Sequence, residues 1–212
     1  MIKPTLLYST TTARNKQGAI VFWGSATGTI RGNVCSSNER DGIRVMEQAR
    51  PVVEGNICEQ NTWRGIVVES QANLSILKNT CGRNQKDGIG LWDNATGTVQ
   101  GNNCLDNRED GIWIGEQACP TLSANTCRGN GKAGIRVTDD SKPVLRENTC
   151  AKNTGDGVNF ADHSAGTAER NDCIENASCG ISLRARHLRN WRPTPATAIR
   201  HTVSPTMAQA AA

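Results

Sequence analysis

Residues 134–156 read GIRVTDDSKPVLRENTCAKNTGD, and this unit of 23 residues recurs along most of the chain. The Cys of the unit recurs without slippage, at Cys35, Cys58, Cys81, Cys104, Cys127, Cys150 and Cys173. The opening Gly recurs at Gly42, Gly65, Gly88, Gly111, Gly134, Gly157 and Gly180. Two Asn positions keep the same interval, one running from Asn33 to Asn171 and the other from Asn38 to Asn176. A fixed period of this length predicts a solenoid in which each unit is one coil.

Each unit contains short alternations of apolar and polar residues, which are typical of half-buried strands. One alternation is the Gly-Ile-x-Val segment at 42–45, a second surrounds Val53, and a third surrounds the Cys. Leucine-rich repeats would need an L-x-x-L-x-L ladder, and helical repeats would be longer and poorer in Gly and Asn. The sequence therefore predicts an all-β fold, a right-handed parallel β-helix (solenoid) of about seven to eight coils.

The repeat also predicts the domain limits. We expect a degenerate first coil or an N-terminal cap over residues 1–18, and the parallel β-helix over 19–185. From about Arg186 the register and the Gly residues disappear and Pro193 and Pro195 enter, so residues 186–212 form a basic, Pro/Ala-rich tail. Such a composition predicts a disordered tail or a partial cap.

Stacked coils place equivalent side chains about 4.8 Å apart, so like residues form ladders. We expect an asparagine ladder, because Asn tolerates left-handed corners and its amide can donate and accept along the stack. We also expect a ladder of buried free cysteines. Adjacent thiols with parallel Cβ vectors do not suit disulfide geometry, and a linear stack does not converge tetrahedrally on zinc.

Charge and hydropathy exclude several classes of partner. The 212 residues carry a formal net charge of +4, and the four arginines of the tail account for all of it. The repeat region is therefore formally neutral, which argues against a nucleic-acid partner. No apolar stretch is long enough to span a membrane. Many reduced Cys and no signal peptide at the start predict a cytoplasmic protein, and we expect a monomer.

The pattern G-I-x-V-x5-P-x-L/V-x2-N-x-C-x2-N, seen at residues 134–153, resembles the right-handed parallel β-helix repeat family of the pectate-lyase-like superfamily. That family includes carbohydrate-binding repeats, sugar hydrolases and lyases, and a periplasmic copper-protein maturation factor. The resemblance covers residues 19–185 and implies the fold, while it leaves the function open. The sequence departs from a copper protein, because its three Met and three His form no cluster.

In sugar-acting members of this family the resemblance places the site on an outward strand face. Here that face carries the candidate binding residues Arg44, Glu69, Trp92, Trp113 and Arg136. Trp92 and Trp113 are expected to be diagonal neighbours on adjacent coils, where they could stack on a sugar or anchor a partner protein. The alternative is that both rings merely cover the sheet.

Two acidic columns accompany this face. Asp93, Glu116, Asp139 and Asp162 follow the strand on four consecutive coils. Such a row of like charges either splays into solvent or recruits cations such as Ca²⁺, and it gives the weak cation candidates. The other column, Asp41, Asp87, Asp110 and Asp156, precedes the Gly and is expected to be turn chemistry.

The near-identical coils argue against a dedicated catalytic coil, so no catalytic residue, cofactor or metal site is predicted. The function predicted is a non-catalytic β-helix repeat module that binds a partner protein or glycan through an outward Trp/Arg strand face. The alternative is a polysaccharide lyase, hydrolase or epimerase acting on acidic polysaccharide, for which Ca²⁺ would be a cofactor. A column containing Thr29, Thr98 and Thr121 raises the weaker idea of ice binding, but Val52 and Val144 interrupt it.

Overall fold

The structure is a computed structural model that describes residues 6–8 and 11–185. Within these ranges the regular elements are short strands, numbered β1 to β24 along the chain, and no helix capable of spanning a membrane occurs. The strands form three parallel sheets of eight strands each. Successive strands pass from the first sheet to the second, then to the third, and then back to the first one coil later.

The strands of each sheet stack in the order of the repeats. The first sheet contains β1 (Leu6–Tyr8), β4 (Thr27–Arg31), β7 (Arg50–Glu54), β10 (Asn73–Leu77), β13 (Thr96–Gln100), β16 (Thr121–Ser123), β19 (Val144–Arg146) and β22 (Thr167–Glu169). The second contains β2 (Thr11–Ala13), β5 (Val34–Ser36), β8 (Ile57–Glu59), β11 (Thr80–Gly82), β14 (Asn103–Leu105), β17 (Thr126–Arg128), β20 (Thr149–Ala151) and β23 (Asp172–Ile174). The third contains β3 (Gly18–Phe22), β6 (Asp41–Val45), β9 (Ile66–Val68), β12 (Ile89–Leu91), β15 (Ile112–Ile114), β18 (Ile135–Val137), β21 (Val158–Asp162) and β24 (Ile181–Ala185).

The register between strands equals the sequence period. Cys81 pairs with Cys58 on one side and with Cys104 on the other, and Ile89 pairs in the same way with Ile66 and Ile112. The prediction of a right-handed parallel β-helix with a 23-residue repeat is confirmed. β1 and β2 lie within the predicted first segment and pair with β4 and β5. The predicted tail, residues 186–212, lies outside the described residues.

The core is a set of ladders that run along the axis. Ile43, Ile66 and Ile89 are fully buried, and the same column continues through Ile112 and Ile135. The cysteine ladder is confirmed as free thiols, all buried except Cys173, which is half-buried at the last coil. Burial raises the pKa of the Cys81 thiol well above its ordinary value, so this side chain acts as a small apolar residue.

The asparagine ladder is confirmed and each interior amide is saturated. Asn102 Nδ2 donates to Asn125 Oδ1 and to the Ile76 carbonyl oxygen, each at 2.9 Å. Asn102 Oδ1 accepts from the backbone N–H of Asn79 at 2.9 Å and from its Nδ2 at 3.0 Å. A slip of register would leave these buried groups without partners, so the ladder fixes the register.

The expectation that the ladder asparagines occupy left-handed corners is wrong. Among the described residues, no ladder Asn has a positive φ. The left-handed residue lies one position earlier, for example Lys78 before Asn79 and Lys152 before Asn153, with φ of 53° and 55°. This placement turns the chain before the Asn, and the Asn side chain then points into the rod to meet its neighbours.

The Gly that opens each unit lies where two coils approach each other closely. A Cβ on Gly42 would lie 2.6 Å from the carbonyl oxygen of Gly65, and one on Gly88 would lie 2.7 Å from that of Gly111. Real Cβ contacts are longer than this, so a larger residue would push the coils apart. Packing, rather than backbone conformation, requires glycine at this position.

Asn102→Ala tests the contribution of the ladder. The substitution leaves the Asn79 donors and the Ile76 carbonyl oxygen unpaired in the core, and we expect it to lower the free energy of unfolding by about 3 kcal/mol. Urea denaturation measures the change. The matched control is Asn103→Ala, because Asn103 is exposed next to it in the chain, and it should change stability by less than about 0.5 kcal/mol. Equal effects of the two substitutions would contradict the role given to the ladder.

Candidate functional site

Trp92 and Trp113 lie on the outward face of the third sheet, on adjacent coils. Both are half-buried, and their ring centroids are 5.4 Å apart with planes tilted by 38°. Each ring lies along its own strand over a glycine: a Cβ on Gly90 would meet the Trp92 ring at 2.9 Å, and one on Gly115 would meet the Trp113 ring at 2.7 Å. The rings therefore lie against the sheet rather than projecting from it.

Arg64 joins the two rings. Its guanidinium carbon is 4.9 Å from the centroid of the Trp92 ring and 5.3 Å from that of Trp113. Its Nε donates to Asp87 Oδ2 at 2.7 Å, and its side chain is only 14% exposed. Contacts of this kind between a partly desolvated guanidinium and indole rings contribute roughly 1–2 kcal/mol each. We call Arg64, Trp92 and Trp113 the Arg–Trp platform.

Thr138 fixes the second ring of the platform. Trp113 Nε1 donates to Thr138 Oγ1 at 3.1 Å, and Thr138 Oγ1 in turn donates to Asp139 Oδ2 at 2.9 Å. A buried indole N–H is thus satisfied, and the ring cannot turn without losing that bond. The platform is held at both ends by side chains of the same face.

Sequence reasoning missed Arg64. The residue occupies the position that is aspartate in four other coils, at Asp41, Asp87, Asp110 and Asp156. A single basic residue in a column that is aspartate in four coils was the available signal, and it was overlooked because the column was interpreted as turn chemistry.

The aspartate column does more than form turns. In each case the carboxylate is buried, and its Oδ1 accepts a hydrogen bond from the backbone N–H of the equivalent residue one coil later. The donors are Arg64 to Asp41, Asp110 to Asp87, Ala133 to Asp110, and Cys179 to Asp156. The second oxygen, Oδ2, is left for the outward face. These residues therefore link coil stacking to the chemistry of that face.

Asp110 and Asp156 occupy the same column and yet have opposite pKa shifts. Burial, reinforced by the nearby Asp87 carboxylate, raises the pKa of Asp110 to about 7. Burial also acts to raise the pKa of Asp156, but hydrogen bonds from Ser182, Ser178 and the Cys179 backbone outweigh it and hold that pKa at about 2. The number of donors near each carboxylate decides the difference.

Two grooves open beside the platform. The first, which we call the acidic groove, has a volume of about 290 Å³ and is lined by Arg64, Asp87, Glu109, Asp110, Trp113, Arg136, Thr138, Asp139 and Asp162. The second, of about 410 Å³, extends from Asp110 and Arg136 to Asp156, Asn159 and Arg184. Arg136 and Asp110 line both grooves, and a chain-like ligand could pass from one to the other.

The structure divides the predicted binding residues into two groups. Trp92 and Trp113 form the platform, and Arg136 lines the grooves beside it with its side chain 40% exposed. Arg44 and Glu69 instead pair with each other, with Arg44 Nε 2.5 Å from Glu69 Oε1. These two side chains neutralise each other and neither lines the two grooves.

The acidic row that follows the third sheet occupies left-handed turn positions, with φ between 50° and 57° at Asp93, Glu116, Asp139 and Asp162. A side-chain hydrogen bond to Asp93 raises the pKa of Glu116, and the Glu116 backbone N–H donates to Asp139 Oδ2 at 3.2 Å. Within the described part of the chain, no group of three or more His, Cys, Asp or Glu is arranged to hold a metal ion.

The comparisons with known proteins agree with this fold. The family model described as periplasmic copper-binding protein (NosD) matches residues 4–143 and 83–191. A search of curated proteins finds no match.

Three similar solved structures illustrate the likeness. The periplasmic alginate epimerase AlgG is 19% identical with a TM-score of 0.62, over 76% of this chain and 45% of AlgG. The A-module of the mannuronan C-5 epimerase AlgE4 of Azotobacter vinelandii is 17% identical with a TM-score of 0.67, over 85% of this chain and 57% of that one. Pectate lyase Pel9A is 15% identical with a TM-score of 0.54, over 76% of this chain and 51% of the lyase. The chain thus spans about half the length of these proteins, and the likeness is one of fold.

The prediction of a cytoplasmic protein is wrong, because the matching family is described as periplasmic. The argument from reduced cysteines failed for a physical reason. Six of the seven ladder thiols are fully buried in the core. Stacked in parallel, they are free of disulfides because of burial and geometry, whatever the redox state of the compartment.

The residues described do not fit a copper centre. Met46 and His163 lie on different coils, and the ladder thiols lie inside the core, away from any open ligand position.

Arg64→Met tests the platform. The substitution removes the partner of the buried Asp87 carboxylate and the cation between the rings, and we expect a loss of about 2–4 kcal/mol in the free energy of unfolding. The near-ultraviolet circular dichroism of the indole pair should also change. Arg83→Met is the matched control, since Arg83 forms an exposed ion pair with Glu59, and it should cost less than about 1 kcal/mol. An unchanged indole spectrum in Arg64→Met would count against the platform.

The pH dependence of stability tests the Asp110 environment. The folded protein binds the Asp110 proton more tightly than the unfolded chain does, so this group makes folding less favourable as pH rises from about 4 to about 7. Asp110→Asn removes the effect. Its stability relative to the native protein should therefore increase across that window, by at most about 4 kcal/mol, and stay constant above it.

Asp156→Asn is the control of opposite sign. The depressed pKa of Asp156 contributes stability above the ordinary aspartate range, and that contribution is lost as pH falls through about 2. Asp156→Asn should therefore be less stable than the native protein at neutral pH, by a difference that shrinks in acid. Parallel pH profiles for the two variants would contradict the environments described for both carboxyl groups.

Proposed function

The chain belongs to the family described as periplasmic copper-binding protein (NosD), and we propose that it is a non-catalytic β-helix module that binds a glycan. In this proposal the ligand lies on the outward face of the third sheet. It stacks on the Arg–Trp platform and extends along the grooves on either side of Arg136.

The observation that carries the proposal is the platform itself. Two indole rings lie nearly in the surface, 5.4 Å apart, and Arg64 and Thr138 hold them in position. Sugar rings present apolar C–H faces, which pack on flat aromatic rings, while their hydroxyls need donors and acceptors nearby. Side chains that are fixed before binding lose little conformational entropy on binding, so a small contact area can give useful affinity.

The grooves supply the polar partners that a glycan needs. Arg136 offers guanidinium donors, and Asp139 and Asp162 offer acceptors along the same face. Asn159 extends this polar lining toward the last coils. Several directional polar groups next to an aromatic surface are typical of a small-molecule or sugar site.

A protein partner is the less favoured occupant. A stable protein interface needs roughly 800 Å² on each side with an apolar centre. The large hydrophobic side chains exposed on the described part of the rod are few: Val21 and Trp23 lie together at β3, and Ile57, Ile174 and Leu183 lie on β8, β23 and β24. The similar solved structures described as alginate epimerases and a pectate lyase also favour a carbohydrate ligand.

Catalysis on acidic polysaccharide is the second candidate. The observation that favours it is Asp110, a buried carboxyl whose pKa of about 7 lies in a range suited to proton transfer, beside Arg136 in a groove. Formation of product from alginate or polygalacturonate, with and without Ca²⁺, would replace the binding proposal with this one.

The binding proposal predicts the effect of removing the rings. On a glycan array, followed by calorimetry with the best ligand, Trp92→Ala and Trp113→Ala should each weaken binding by about tenfold or more, which corresponds to about 1.4 kcal/mol. Trp23→Ala is the matched control. Trp23 lies in the same outward column as Trp92 and is 69% exposed, but it lies three coils away and lines neither groove.

The control should bind as the native protein does. Native affinity in both ring variants would contradict the proposal, and so would an array on which the native protein retains no glycan.

A further inference from the structure

The acidic groove contains more carboxylates than cations, and this imbalance points to the chemistry of the ligand. Five acidic residues line it, against Arg64 and Arg136. Arg64 is already committed to Asp87 and the two rings. Outside the groove, Lys132 Nζ forms an ion pair with Glu109 Oε2 at 3.1 Å. Arg136 is therefore the lining cation that remains to balance the negative charges of Asp110, Asp139 and Asp162.

Asp110 is the residue that shows what the groove lacks. Its side chain is only 2% exposed, and its Oδ1 accepts the Ala133 backbone N–H at 2.7 Å. Its Oδ2 has no hydrogen-bond donor among the described residues, and the nearest cationic atom, Arg136 Nη1, is 3.9 Å away. The buried carboxylate is thus directed into the groove without a close partner for its charge.

The raised pKa of the Asp110 carboxyl agrees with that geometry. Burial and the Asp87 carboxylate raise the pKa of Asp110 to about 7, with only partial compensation from Arg136 and Lys132. A proton is the simplest cation that can occupy the position. A ligand that brings its own positive charge would replace the proton and restore a hydrogen-bonded ion pair.

A metal ion is not the cation that fits. In the described part of the molecule no three potential ligands converge as a metal requires. The carboxylates instead surround a space of about 290 Å³ with Trp113 on one side. An organic ammonium group fits such a space, because it is held by spread carboxylates and an aromatic ring rather than by a tight ligand shell.

Resting on the proposed glycan-binding function, we propose that the acidic groove recognises an amino sugar through its ammonium group, with Asp110 as the residue that determines this specificity. In the complex the ammonium donates to Asp110 Oδ2, its charge is shared with Asp139 and Asp162, and the pyranose ring packs on Trp113. A uronate is disfavoured, since its carboxylate would lie next to Asp139 and Asp162, and each such pair repels by about 1 kcal/mol or more.

The test uses three tetrasaccharides that differ in charge: β-1,4-linked glucosamine, its fully N-acetylated counterpart, and galacturonate. Calorimetry with the native chain at about pH 6, where glucosamine is largely protonated, should give at least about tenfold tighter binding of the amine form than of the N-acetylated form. The galacturonate tetramer should bind most weakly. Because Asp110 holds a proton at this pH in the free protein, amine binding should release close to one proton, measured in two buffers of different ionisation heat.

Asp110→Asn should bind the two glucosamine forms within about twofold of each other and release no proton. Asp41→Asn is the matched control, since it changes a buried carboxylate of the same column that lines neither groove, and it should keep the native preference. If Asp110→Asn does not fold, Asp139→Asn gives a second test at an existing charge of the groove, where the preference should fall without being lost.

The outcomes separate the inference from the proposed function. Equal or tighter binding of the N-acetylated or galacturonate tetramer to the native protein would overturn the amino-sugar inference and leave glycan binding intact. An amine preference that survives in Asp110→Asn would overturn the role given to Asp110. A native protein that binds none of the three sugars, nor any glycan on the array, would overturn the proposed function and the inference together.

Discussion

Every residue of this rod stacks on a residue of equivalent position one coil away, about 4.8 Å distant, and this constraint shapes the whole molecule. A residue type can recur in a buried column most simply when its side chain can pack on, or bond to, a copy of itself. Isoleucine and cysteine do so by packing, and asparagine does so because one amide both donates and accepts, as between Asn79, Asn102 and Asn125. Glycine is required where the coils touch, since a Cβ there would clash with the carbonyl oxygen of the next coil. The sequence keeps a fixed period because each of these contacts requires equivalent residues to lie one coil apart.

The same constraint acts against charge. Carboxylates stacked in one column repel one another unless each is balanced by a cation or a hydrogen-bond donor. In the aspartate column the balancing group differs from coil to coil. Asp87 has Arg64, Asp156 has the Ser182 and Asn159 side chains, and Asp110 has only a distant Arg136. Identical residues at identical positions thus acquire different chemistry from the irregular residues around them. In this rod the Arg–Trp platform and the acidic groove lie where the repeat is broken.

That distinction explains what the sequence could and could not predict. Residues that recur every 23 positions determine the coil, the three sheets, the register, the buried thiols and the asparagine ladder. These features could be predicted because the repeat is visible in the sequence. The face and the adjacency of Trp92 and Trp113 also followed, because the register determines them. Arg64 was not found, since its importance depends on a guanidinium reaching across Gly90 to both rings, which requires side-chain geometry. The pairing of Arg44 with Glu69, which removes both from the site, depended on geometry in the same way. The compartment was misjudged because free thiols were taken as a sign of redox environment when burial alone accounts for them.

The platform and the acidic groove are connected by one substitution in the column. At the position of Arg64 four other coils place an aspartate, and a carboxylate there would have added a like charge beside Asp87 and left both rings without a cation. Arg64 instead pairs with Asp87 and contacts both rings, so its charge is already committed although the side chain lines the groove. Asp110, one coil beyond Asp87, has Arg136 Nη1 at 3.9 Å as its nearest cationic atom, and the Asp87 carboxylate is close enough to help raise its pKa. Arg64 thus builds the aromatic surface while Arg136 remains the cation nearest to Asp110 Oδ2, and a ligand that supplies both an apolar ring face and a cation would satisfy the two features at once.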